Sequence, residues 1–240
     1  MKKNILFSLT LFAAGSLLAA DSNPKDDVTA AANALGNESS YAWRTTVEVP
    51  ADAQFKPGPT DGKTEKGGYT MITMNFNDNS SQALIKGTNV AIKADAGWQS
   101  AAEATADSGG GFNPTAFLAR MAQNYRTPAA EATALAGQTK ELKAGDKGIS
   151  GELTEEGAKS LLTFRRRAGG GGGAPNVTNP KGSVTFWITD GKLTKYQYHV
   201  TGTVSFNGND RDVDRTTTTE IKDVGTTKIE VPDDAKKKLE

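Results

Sequence analysis

Tyr196-Gln197-Tyr198-His199-Val200-Thr201-Gly202-Thr203-Val204-Ser205-Phe206 carries an apolar residue or a glycine at every second position. That is the period of a strand with one buried face and one wet face. Just upstream, Val184, Phe186 and Ile188 alternate with Thr185, Trp187 and Thr189, and Asp190-Gly191 links the two runs. Both central positions of such a link need positive φ, so the pair predicts a tight hairpin. Downstream come Asn207-Gly208-Asn209-Asp210, a threonine-rich run to Ile221, and residues 226–231. Residues 182–232 therefore read as a β-meander, and the chain before them must supply further strands or cover the apolar face.

Taken in order, residues 23–36 predict a short amphipathic helix. Asn23-Pro24 suits a cap and first turn, Val28, Ala31, Ala32 and Leu35 fall at helical spacing, and Gly36 suits the exit. Tyr41, Trp43, Thr45, Val47 and Val49 alternate as a strand, and residues 50–67 read as a polar loop punctuated by Pro and Gly. Residues 69–76, 83–86 and 89–94 predict strands, with Gly97-Trp98-Gln99 closing this first β-block. Ser108-Gly109-Gly110-Gly111 then changes the pattern. Asn113-Pro114 opens a helix with Phe117, Leu118, Met121 and Tyr125 on one stripe. Thr127-Pro128 starts an alanine-rich helix, residues 140–148 read as extended or turn, and Thr154-Glu155-Glu156 caps a third helix. Arg165-Arg166-Arg167 end that helix, where positive charge suits its dipole, and Gly169–Gly173 form a tether.

This order lacks βαβ alternation. It predicts an α+β fold, a large curved antiparallel sheet of about eight or nine strands, as an unclosed barrel with a helical insert (about residues 113–167) covering its concave face.

Residues 1–20 read as a secretory signal peptide: Lys2 and Lys3, an apolar run from Ile5 to Ala14, and Leu18-Ala19-Ala20 before Asp21. Residues 21–240 are then expected as one domain, periplasmic or secreted. Removing Lys2 and Lys3 takes 28 basic residues to 26 against 28 acidic, a net charge near −2. That balance gives no electrostatic reason to expect nucleic acid as partner. The chain has no cysteine, so packing rather than disulfides must hold it.

Catalytic chemistry is thin. The single histidine, His199, falls on the polar face of its strand, and a metal site of several His or Cys ligands is impossible. No nucleophile elbow or phosphate-binding glycine motif is present, and nothing places carboxylates such as Glu155 and Asp223 together in a cleft. Asp212, Asp214, Glu220 and Asp223 read as a charged strand face rather than a calcium loop. We expect no catalytic residue, metal or cofactor. The aromatics and methionines are more informative. Most belong to an ordinary core, and some are expected to line a cavity between sheet and helices. Trp187 makes its strand apolar on both faces, as if helix or ligand covered the second one.

The chain resembles the periplasmic lipoprotein-carrier superfamily, the LolA-like and LppX-like proteins. The carrying features are the leader, the early strand Tyr41-Ala42-Trp43-Arg44, and the helical insert before the last strands. Further ones are Val184-Thr185-Phe186-Trp187-Ile188-Thr189-Asp190-Gly191-Lys192-Leu193, the ending Thr219-Glu220-Ile221-Lys222-Asp223-Val224-Gly225, and Ile229-Glu230-Val231-Pro232. The resemblance implies an unclosed barrel with lid helices holding acyl chains, and it maps the family's early-strand arginine onto Arg44. The expectation is a non-enzymatic carrier of a hydrophobic or lipid ligand, with an envelope protein as a further partner and no integral membrane segment. Phe117, Leu118, Met121 and Tyr125 would face Trp43, Met74 and Trp187 across the cavity, with Gly109–Gly111 and Gly169–Gly173 as hinges. The competing expectation is a structural or interaction scaffold without a cavity.

Overall fold

Asp190 and Gly191 do take positive φ, 51° and 71°, and they close a hairpin of two long strands. It joins β9 (Asn176–Thr189) to β10 (Lys192–Phe206), and β10 pairs in turn with β11 (Asn209–Lys222). The protein is seen here as a computed structural model that describes residues 23–53, 56–76, 79–106, 113–163, 175–206 and 208–240. The expected signal peptide (residues 1–20), the glycine runs expected as hinges (Gly109–Gly111 and Gly169–Gly173) and Arg165–Arg167 lie outside the described residues.

The described strands form one antiparallel sheet of eleven, ordered β6-β5-β4-β3-β2-β1-β11-β10-β9-β8-β7 and left open at both ends. Its other members are β1 (Ser40–Glu48), β2 (Thr60–Glu65), β3 (Thr70–Phe76), β4 (Asn79–Lys86), β5 (Asn89–Ala94), β6 (Gly97–Ser100), β7 (Lys143–Gly145) and β8 (Gly148–Glu152). The helices are α1 (Pro24–Asn37), α2 (Ala101–Ala106), α3 (Pro114–Gln123), α4 (Pro128–Gly137), α5 (Glu155–Leu162) and α6 (Asp233–Lys237). An α+β fold on a large unclosed antiparallel sheet is thus what the chain forms.

Three strands that were not expected, β2, β7 and β8, come from polar or glycine-rich segments. Thr60-Asp61-Gly62-Lys63-Thr64-Glu65 has no apolar alternation, yet it is paired on both sides, with β1 and β3. Its ladder bonds, not its side chains, hold it in the sheet. β7 and β8 make a small hairpin where an extended or turn form was expected. α2 was not foreseen, although its capping box is legible in Ser100-Ala101-Ala102-Glu103. The Ser100 amide donates to Glu103 Oε2 at 2.7 Å, and the Glu103 amide donates to Ser100 Oγ at 3.2 Å. Gly36 lies within α1 instead of ending it. Residues 226–231, read as a strand, join no ladder. They cross behind the sheet, where the Ile229 amide donates to Glu65 Oε1 at 2.9 Å.

Register fixes which side chains share a face. Trp43 lies opposite Gly62 and Ile221, Tyr196 opposite Phe186 and Thr219, and Ile72 opposite Ala83. These belong to the helix-covered face. Towards β8–β11 and β1 that face is packed by α1, α4 and α5, and towards β4–β5 by α2 and α3. The reverse of β4–β5 is buried as well, since Leu84 and Ala91 pack against Ala235 and Leu239. The reverse of β9–β11 is open to solvent and polar. There His199 Nε2 lies 2.8 Å from Asp214 Oδ1, and the Thr203 hydroxyl donates to Asp212 at 2.7 Å.

Candidate functional site

The two packed halves of the helix-covered face meet at an aromatic seam. Trp43 projects from the middle of β1 and is 2% exposed. It lies over strand β2 at Gly62, where a Cβ would stand 2.0 Å from the indole. Only a residue without a side chain permits that approach. Tyr125, in the link between α3 and α4, stacks on Trp43 with ring centroids 5.8 Å apart and planes 14° apart. Tyr41, two residues before Trp43, packs on it at 5.7 Å and 51°.

Polar groups line the seam's far side. Glu131 is the one ionisable residue of α4, whose other members are alanine, leucine, threonine, proline and glycine. It faces the sheet, and the Tyr196 hydroxyl donates to its carboxylate at 2.5 Å. Burial pushes the Glu131 carboxyl up, while the Tyr196 bond and the charge of Arg126 oppose that rise. The Tyr196 hydroxyl is held well above its usual range by burial and then by the Glu131 charge. Burial and Glu131 also raise Tyr125, and a hydrogen bond from Trp43 works against them. The Tyr198 hydroxyl, on the same face, is raised as well, first by burial and then by the Glu131 charge. Threonines of β1 and β11 complete the layer, with Thr45 Oγ1 and Thr219 Oγ1 2.9 Å apart.

This arrangement partly matches the residues expected from sequence. Trp43 and Tyr125 do come together. Met74, Leu118 and Met121 gather in the neighbouring cluster with Ala83, Val90 and Ile92, and Phe117 is half-buried beside Leu118 on α3. Trp187 does not face the helices. Its neighbour Phe186 does, so the pleat sends Trp187 to the open face, where Lys195 Nζ sits 3.9 Å from its ring centroid. Aliphatic stem and ammonium of that lysine cover the ring, which explains an apolar residue there without helix or ligand. Arg44 is likewise on the open face, paired with Asp61 at 3.2 Å and substantially exposed. A shallow depression of about 450 Å³ near these residues is lined by Trp187, Lys195, Thr194, Glu220 and Lys222. On the helix-covered face, by contrast, Phe186 and Tyr196 have no exposed surface.

Sequence reasoning missed Glu131 and Tyr196 as a pair. Glu131 was legible as the lone acid in Ala129-Ala130-Glu131-Ala132, but its facing partner lies 65 residues away. Among the described residues, no cluster of three His, Cys, Asp or Glu could hold a metal, and no helix is long and apolar enough to cross a membrane.

No family model matches the chain, and no curated protein matches it. Among solved structures, it is similar to LprF from Mycobacterium bovis, with 13% identity and a TM-score of 0.45 over 89% of this chain and 100% of that one. It is also similar to the lipoprotein LppX of Mycobacterium tuberculosis, with 10% identity and a TM-score of 0.44 over 87% and 97%. A LolA superfamily protein from Nitrosomonas europaea gives 8% identity and 0.36 over 87% and 96%. These likenesses are distant.

Proposed function

We propose that the protein is a non-enzymatic, exported binding or carrier protein. It takes a hydrophobic ligand with an acyl-type chain between the helix-covered face of the sheet and its roof of helices. The observation that carries this reading is the chemistry of the roof. α3 buries Ala116, Ala119 and Ala122 with Leu118, and α4 buries Ala129, Ala132 and Ala136 with Leu135. A buried alanine gains about 0.8 kcal/mol of methyl burial, where a leucine gains about 1.5–3. Alanine-faced helices interlock little with what they cover, so lifting them costs less than lifting leucine-faced ones. What they uncover is apolar and aromatic: Ile92 and Ala83 under α3, Trp43 under the α3–α4 link, and Tyr196 under α4. Each ligand methylene entering there gains about 0.8 kcal/mol.

The test is native mass spectrometry on full-length protein purified without detergent, with uptake of an environment-sensitive fatty-acid probe alongside. A stoichiometric co-purifying lipid, or saturable probe uptake, is the expected result. A clean apo mass with no uptake would leave the other reading, a scaffold whose sheet is simply packed by its helices. The complete burial of Phe186 and Tyr196 beneath the helices favours that second reading.

A further inference from the structure

A carboxyl group facing the sheet is out of keeping with the rest of α4. Every other inward position of that helix is Pro, Ala or Leu, and one neutral residue at position 131 would have avoided the desolvation of an acid. Buried acids out of keeping with their surroundings are candidates for a functional role. Tyr196 donates one hydrogen bond to Glu131, whereas a carboxylate offers about four lone-pair positions. The site can therefore accept further donors.

Aromatic walls stand on the other side. Trp43 and Tyr125 are parallel, and Tyr41 is tilted against Trp43. If the stack parts when the α3–α4 link lifts, two ring faces become free beside the acid. Aromatic faces around a cationic centre are the usual means of recognising an ammonium group. We propose that this seam is a subsite for a positively charged head group, a primary or quaternary ammonium borne on an apolar chain, seated against Glu131 and the rings of Tyr41, Trp43 and Tyr125. This rests on the carrier reading above and narrows its ligand to cationic amphiphiles.

Two cations of the protein stand near. Arg126 is exposed at the rim, and Arg215 donates to the Leu161 carbonyl on the α5 side, close to Tyr198. An anionic head would instead seek these arginines, and Glu131 would repel it from the seam. The two chemistries thus give opposite rank orders.

The experiment is displacement of a bound fluorescent apolar probe from the full chain at neutral pH, below micelle formation. The competitors are dodecylamine, dodecyltrimethylammonium, dodecanol and dodecanoate. The two ammonium compounds are expected to displace the probe at concentrations about tenfold lower than the alcohol, equivalent to about 1.4 kcal/mol. Glu131→Gln should remove that advantage while leaving dodecanol unchanged. Should Glu131→Gln fail to fold, Tyr125→Leu serves instead, because it takes one ring from the proposed seat and must shrink the ammonium advantage while dodecanol still displaces the probe. Equal displacement by ammonium and alcohol, or a preference for dodecanoate, overturns the inference and leaves the carrier reading standing. If neither the probe nor any competitor binds, the carrier reading falls and this inference with it.

Discussion

At Gly62 the missing side chain is what lets the seam exist. The Trp43 indole occupies the space a β-carbon would need, so Gly62→Ala must push the ring off β2 and against Tyr125. Overpacking of this kind costs about 1–3 kcal/mol. We expect Gly62→Ala to lower unfolding free energy by about 2 kcal/mol in a urea titration and to red-shift tryptophan emission. A loss under about 0.5 kcal/mol would mean that the indole is not seated as described. The role of Gly62 was not readable from its own neighbourhood. Thr60-Asp61-Gly62-Lys63 looks like a loop, and only the pairing of Gly62 with Trp43 across β1 and β2 explains the glycine. Trp43 itself was legible, because it falls in phase with Tyr41, Thr45 and Val47.

Among the elements, α6 is small yet holds down one end of the sheet. Leu239, just beyond it, is 4% exposed against Leu84 and Ala91, and Lys238 Nζ reaches Glu103 of α2 at 2.7 Å. Leu239→Ala should cost about 2 kcal/mol by cavity formation, measured by the same titration. The ion pair predicts acid sensitivity. The Lys238 ammonium and the Ser100 amide hold the Glu103 carboxyl down to about 2, from an ordinary 4.5. A folded-state value below the unfolded one contributes stability that is complete above about 4.5 and fades as pH falls towards about 2. Glu103→Gln should therefore melt at a lower temperature than the parent at neutral pH, with the gap closing below pH 4.5. A gap independent of pH would show that the pair contributes nothing. Of these elements, the sequence predicted β9, β10, α1, α3, α4 and α5 because their signals are local: alternation, Asp190-Gly191, and cap residues at Asn23, Asn113, Thr127 and Thr154. It misassigned residues 226–231 because Ile229 and Val231 alternate like a strand but bury themselves behind the sheet without pairing.

On the scale of the molecule, one sheet carries two clusters that differ in what would have to move for a ligand to enter. β10 is 15 residues long and hydrogen-bonded along both edges, whereas α3 and α4 are 10-residue helices with alanine faces. Local opening should follow that contrast. Hydrogen exchange is expected to be fastest in α3, α4 and the Tyr125 link and slowest in β10, with ligand slowing the former. Uniform protection across helices and sheet would contradict a movable roof. The unclosed antiparallel architecture was legible from the succession of hairpin signals, but the two-sided use of the sheet was not. Which face Trp187 and Arg44 occupy depends on strand partners far away in the chain, and short-range alternation cannot tell a solvated face from a roofed one.

An open sheet ends in two bare backbone borders, and each is a template on which a stray strand could grow. Here β7 offers three residues, with Lys143 and Glu141 paired across its start. The other border, β6, offers four and is packed against α6. Longer borders lie inside the order: β8 covers β9 only over residues 183–186 and β1 covers β11 only over residues 216–222, so the far ends of these two long strands, not β6 or β7, are where the strand of another copy finds its template.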